Sequence, residues 1–215
     1  RLVYGADTGK LYGRDRNLNS VRDTSEDDAA YDILGADRLP NEFHGLLSYL
    51  TVWSGHANRT PDGEAKLNIN DAGNVAKLQA LLTSNVGPEV SRQVMESVNP
   101  RRQQYDSLLA FYIESGLTDD QFAAIDNSIT VRDDEWIDGL VNVNTAPPDV
   151  LACLPGLDNE DGAALAAFRQ THPEQLESVA WLTAVLSKEK ALRVAPLVTT
   201  VPGCISADIV ALGAG

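Results

Sequence analysis

Leu67-Asn68-Ile69-Asn70-Asp71-Ala72 and Val141-Asn142-Val143-Asn144-Thr145-Ala146 share one pattern, an apolar residue alternating with asparagine before an alanine. Alternation of this kind reads as a short strand, and in both places a helical apolar pattern follows. Leu78, Leu81 and Leu82 after the first run correspond to Val150, Leu151 and Leu154 after the second. A strand-like lead-in repeated together with its helix marks a duplicated supersecondary unit.

Each copy continues in the same way. A second helix pattern runs from Pro88-Glu89-Val90 through Met95 and Val98 in the first copy, and from Asp161-Gly162 through Leu165, Ala166 and Phe168 in the second. The turns between, Asn85-Val86-Gly87-Pro88 and Pro155-Gly156-Leu157-Asp158-Asn159-Glu160, carry glycine and proline where a helix must stop and the chain reverse. Pro147 and Pro148 suit the opening of a helix, because first-turn amides have no intrahelical acceptor to lose. Both copies are thus expected to be helix, short turn, helix.

A hairpin of this form can offer turn amides to a phosphate, with nearby lysines adding charge. The charge balance opposes that use. The chain has 31 acidic against 17 basic residues, a net charge of -14, and the second turn itself holds Asp158, Glu160 and Asp161. Such a turn repels a polyanion and has no counterion-release contribution to draw on. A helical packing module without nucleic acid is the expectation, and a helix-hairpin-helix nucleic-acid binder is the alternative.

With 43% hydrophobic and 22% charged residues over 215 positions, the chain can bury one large or two small cores. No run approaches the roughly 20 apolar residues of a membrane span. The chain opens at Arg1 rather than methionine and reads as a piece of a longer protein. Residues 1–38 are polar and turn-rich. From Pro40, Phe43, Leu46, Leu47, Leu50 and Trp53 recur at helical spacing and predict one buried face. Pro61-Asp62-Gly63 marks a turn. A further helix is expected from Asn99-Pro100 through Tyr105, Leu108, Leu109, Tyr112 and Ile113 to Gly116. Thr118 then caps a shorter one past Phe122 and Ile125. Beyond the second repeat come helical patterns over Pro173 to Leu186 and Lys188 to Val194. Leu197 to Val201 and Ile205 to Ala211 read as strands. The fold class is mainly α with a small β portion, α+β. It divides into a loop region (1–38), a first helical region (39–138), a second helix-hairpin region (139–195) and a β segment (196–215).

Metal-ligand spacing occurs in the N-terminal region. Asp15, Asn17, Asn19, Asp23 and Glu26 fall at positions 1, 3, 5, 9 and 12 of a twelve-residue loop, with the Val21 carbonyl at position 7. That is the calcium loop of an EF-hand, in which oxygens converge on a hard cation and the last glutamate binds through both of its own. Ser20 replaces the usual glycine at position 6 and Arg22 the usual apolar residue at position 8, so a free-standing Ca2+ loop is expected. Asp133-Asp134-Glu135 with Asp138 lacks such spacing and reads as a solvated face.

Catalytic patterns are missing from the sequence. His44, His56 and His172 stand far apart, and neither a nucleophile elbow nor a phosphate-cradling glycine loop is present. A non-enzymatic protein is expected. Cys153 and Cys204 could close a loop worth roughly 4 kcal/mol in an oxidising compartment. Cys153 could equally be a small buried residue on an apolar helix.

The run Leu140-Val141-Asn142-Val143-Asn144-Thr145-Ala146-Pro147-Pro148-Asp149-Val150-Leu151, with Leu154-Pro155-Gly156-Leu157 and Phe168-Arg169, resembles the signature of type II secretion minor pseudopilin K, general secretion pathway protein K. The resemblance takes in Lys66 to Asn70, Leu46 to Trp53 and Phe111 to Thr118, and so spans roughly residues 40 to 200. It implies helical repeats like sterile alpha motifs, inserted in a pilin-like α/β domain that is truncated here. It implies a periplasmic domain of a bacterial inner-membrane protein, anchored through an N-terminal helix that this stretch lacks. It further implies a place at the pseudopilus tip beside minor pseudopilins of the I and J types, a role in protein secretion, and bound calcium.

Overall fold

The computed structural model describes residues 11, 13, 45, 46, 49, 50, 54–98 and 104–203. The chain divides into two units, Trp53–Cys204 and a second made of Arg1–Val52 with Ile205–Gly215. Of the latter, Leu46 and Leu50 are 47% and 62% exposed, so the buried face expected there is not formed at these two positions. The physical reason is local: Tyr49 N donates to Leu46 O, an i→i−3 bond. Three residues per turn place side chains differently from the 3.6 that generated the stripe. Phe43, Leu47 and Trp53 lie outside the described residues, as do Asp15 to Glu26 and Ile205 to Ala211.

The larger unit is mainly helical with small strands, α+β. Its described elements begin with β1 (Gly55–Ala57) and β2 (Leu67–Asn68), followed by α1 (Val75–Val86), α2 (Pro88–Ser97), α3 (Leu108–Ser115) and α4 (Asp119–Asp126). Then come β3 (Ile129–Thr130), β4 (Trp136–Asp138) and β5 (Val141–Asn142). The chain continues through α5 (Pro148–Ala152), α6 (Asn159–Thr171), α7 (Leu182–Val185), α8 (Lys188–Val194) and β6 (Val198–Thr199). β1 pairs antiparallel with β4, His56 opposite Ile137.

The two asparagine runs enter similar backbone arrangements. β2 pairs parallel with β3, Leu67 opposite Ile129, and β5 pairs parallel with β6, Val141 opposite Val198. A parallel pair requires a long crossover. In the first unit it is α1 to α4; in the second it is α5 to α8. Equivalent bonds recur. Ile69 N donates to Thr130 O and Val143 N to Thr199 O, both at 2.9 Å. Asn68 Oδ1 accepts from Asn70 N at 2.8 Å, and Asn142 Oδ1 from Asn144 N at 2.9 Å. Thr130 Oγ1 accepts from Arg132 N, as Thr199 Oγ1 does from Val201 N. The first asparagine of each run therefore tightens its own turn. The second is a tether: Asn70 donates to Tyr105 O and Val131 O and accepts from Tyr105 N. Asn144 donates to Leu176 O and accepts from Trp181 Nε1.

Helix ends follow the local chemistry. Thr118 and Gln121 form the capping box of α4, and Gly116 takes φ +69 after α3, a left-handed stop that glycine alone adopts freely. α3 starts only at Leu108, where Ser107 accepts from Ala110 N. Pro173 to Leu186 is broken: short 3-10 turns at Pro173–Gln175 and Val179–Trp181 precede α7. Of the strand expected over Leu197 to Val201, Val198–Thr199 forms, and its ladder is spent on β5.

Two cores result. Ile69, Leu78, Leu82, Val94, Phe111, Phe122 and Ile125 centre the first; Val143, Leu151, Leu165, Trp181, Leu182 and Val194 centre the second. Each such side chain contributes roughly 1.5–3 kcal/mol on burial. The cores interlock, since Leu109 of α3 joins the second while Ala180 of the later repeat joins the first.

Candidate functional site

Gly87 and Gly156, at φ +89 and +84, reverse the chain at the two hairpins as expected. At the second, the amides of Leu157, Asp158, Glu160 and Asp161 already have acceptors. Asp158 accepts from Glu160 N at 2.9 Å and Asp161 N at 3.0 Å, and Asp161 Oδ2 accepts from Asp158 N. Lys190 Nζ lies 2.5 Å from Asp161 Oδ2, and Arg193, whose side chain packs against Gly156, pairs with Glu189 at 3.0 Å. Backbone bonds, first from the Asp161 amide, hold the Asp158 carboxyl below the ordinary carboxylate range. At the first hairpin Arg92 is bracketed by Glu89 and Glu96. Among the described residues, Arg92, Lys190 and Arg193 at these turns are all paired with carboxylates.

α6 crosses α5 at Gly162, where a Cβ would stand 2.4 Å from Pro148 O. Ser91 occupies the same station of α2, fourth from the helix start. Its hydroxyl lies 3.0 Å from Thr83 Oγ1 and 3.2 Å from Gln79 O of α1. Arg169 donates to Val143 O and Ala146 O, clamping the second asparagine run onto α6. Phe168 stacks between Trp181 and His172, at 5.5 and 4.4 Å between ring centroids.

The site with the least ordinary chemistry is a cavity of about 100 Å³ where the closing strands of the two repeats meet. β3 and β6 supply Thr130 and Thr199, β1 supplies His56, and the end of α4 supplies Asp126; Lys66 and Arg132 also line it. Asp126 is 8% exposed and its Oδ1 has no hydrogen-bond partner among the described residues. Burial pushes its carboxyl up to about 7, against the opposing pull of Lys66 and of a bond from the Asn127 backbone. Lys66 is lowered, first by burial, with Asp126 partly restoring it. His56 is lowered by burial and then by the charges of Lys66 and Arg132. Arg132 is steadied by donation to Pro196 O at 3.1 Å, and its own carbonyl accepts from Asn58.

This cluster was not legible as a site in the sequence. Its one local signal is an acidic residue ending a helix, where the dipole disfavours negative charge. Of the residues marked by sequence, Asp15, Asn17, Asn19, Val21, Asp23 and Glu26 lie outside the described residues, as do His44 and Cys204. Asp133, Asp134, Glu135 and Asp138 are exposed. Among the described residues no three His, Cys, Asp or Glu side chains converge to hold a metal ion. Cys153 is a free, exposed thiol rather than a buried one, because α5 ends at Ala152 and the core position passes to Leu154. No helix among the described residues is long and apolar enough to cross a membrane. Comparison with protein-family models, curated proteins and solved structures gives no match.

Proposed function

We propose that this chain is the helical periplasmic part of a non-enzymatic minor pseudopilin, of the K type, in a type II protein secretion system. In this reading it caps the pseudopilus tip beside minor pseudopilins of the I and J types. The observation that carries it is the pair of interlocked β-helix-β repeats built around the asparagine runs, since a tip subunit needs bulk and rigidity more than a reactive centre. The acidic end of the second hairpin supports it against the nucleic-acid alternative: the Asp158 carboxylate already holds the Glu160 and Asp161 amides and would repel a phosphate.

Anchoring by an N-terminal helix, a pilin-like sheet and repeats of the sterile-alpha-motif type belong to the same proposal. So does calcium at Asp15, Asn17, Asn19, Val21, Asp23 and Glu26, where the cation would offset repulsion among three carboxylates. The decisive experiment mixes the chain with the periplasmic domains of I- and J-type minor pseudopilins and follows the mixture by size-exclusion chromatography. A co-eluting ternary complex is expected. No complex, together with salt-sensitive retention of duplex DNA on a filter, would transfer the chain to the helix-hairpin-helix class. Thermal melts in calcium and in chelator test the loop, and an unchanged midpoint would count against it.

A further inference from the structure

We propose that the cavity between β3 and β6 binds a small organic carboxylate, held by Lys66 and Arg132 and hydrogen-bonded by the carboxyl group of Asp126. This site is separate from the tip role and does not depend on it. Three observations on different elements converge. Asp126 ends α4 almost wholly buried, with Oδ1 making no hydrogen bond among the described residues. Such an orphan is costly unless a partner satisfies it. Lys66 and Arg132 line the same space, in a chain whose net charge is -14. Neither forms an ion pair with Asp126 among the described residues, so the cavity separates donors from acceptor.

The chemistry of the wall selects the occupant. A metal cation would face two positive charges, with the buried Asp126 carboxyl and the exposed Asp106 carboxylate as its only acidic partners in the wall. A neutral molecule would leave the two cations with the exposed Asp106 as the one charged carboxylate of the wall when Asp126 is neutral. A carboxylate takes bonds from Lys66 and Arg132 with one oxygen or both, and accepts the proton of a neutral Asp126 carboxyl. With about 100 Å³ available, the ligand has few non-hydrogen atoms, or is the carboxylate end of something larger.

Binding is therefore coupled to protonation. Asp126 titrates near 7, and binding above that pH takes up one proton from solvent. The other charged groups around it are Lys66, Arg132, His56, Asp106 and Glu177. His56 is lowered from 6.5 and stays neutral above that pH, so between 6.5 and 8.5 the lining groups left to change charge are Asp126 and Lys66, itself lowered by burial, and the Asp126→Asn variant separates the two.

The test is an acetate titration followed by amide NMR at Asn127, Thr130 and Val201, with sodium chloride at matched ionic strength as control. Saturable shifts are expected at pH 6.5, with affinity weaker by on the order of tenfold at pH 8.5. Asp126→Asn, a permanently neutral donor, should bind equally at both pH values, and Lys66→Met should bind at least about tenfold more weakly. A parallel titration with N-acetyl-dialanine separates the two sources of the chemistry: saturation by acetate alone identifies a free acid, and saturation by both identifies an accessible chain terminus. Absence of saturable shifts, chloride acting as well as acetate, or pH-independent binding by the unaltered protein would each overturn the proposal. The pH comparison needs no variant, so a substitution that fails to fold leaves it intact.

Discussion

Asn70 and Asn144 use both ends of their amides, and what they tether differs from what Asn68 and Asn142 do two residues earlier. Removing Asn70 leaves the Tyr105 amide without its acceptor and two carbonyls without a donor. Asn70→Ala is expected to cost about 2–4 kcal/mol in urea denaturation, and Asn68→Ala, which loses bonds at a half-open surface, nearer 1 kcal/mol. The repeated asparagines were visible in the sequence because two copies stand side by side for comparison. Asp126 was not, since a single carboxylate shows its burial only once β1, β3 and β6 surround it. Its pH effect has a definite sign. The folded carboxyl titrates near 7 against an ordinary value of 3.8, so between these limits the native state holds the extra proton. Stability from this group is greatest at acid pH and falls as pH rises through 7, by about 1.4 kcal/mol per unit at most. Asp126→Asn should raise the urea midpoint at pH 8 and leave it nearly unchanged at pH 4.

Helices show how far periodicity reaches. Boundaries set by proline, glycine or a capping hydroxyl, such as Gly116, Thr118 and Pro88, stood where the residues put them, because each acts on its own backbone. Pro173 to Leu186 fragmented, for its apolar residues serve two cores at once: Val179 packs against both, Ala180 against the first and Trp181 against the second. A single-faced helix cannot do that. β2, β5 and β6 fall inside stretches read as strand-like, but β3 is too short to alternate, and the parallel pairing was out of reach because the partners lie across four helices. The α5–α6 crossing gives a test. Gly162→Ala drives a Cβ against Pro148 O and should destabilise by about 1–3 kcal/mol, whereas Ser91→Ala at the matching station of α2 should cost only about 1 kcal/mol. Asp158→Ala removes the α6 cap and should lower the melting midpoint.

Across the larger unit, cooperativity follows from the shared packing of α3 and Val179. Leu109 and Phe111 lie two residues apart on α3 yet belong to different cores. Neither repeat can open without exposing the other. Native-state hydrogen exchange should therefore give the Ile69 and Val143 amides nearly equal protection, both at the global unfolding free energy. Protection of one alone would show the repeats to be separable. The parallel ladders carry a different implication. Because β3 returns beside β2, and β6 beside β5, each repeat begins and finishes at one seam, like a loop of thread drawn back through its own eyelet. Genetic duplication of such a segment joins end to start over a short gap. A longer relative would lengthen by whole stitches there, leaving the helices of existing copies untouched.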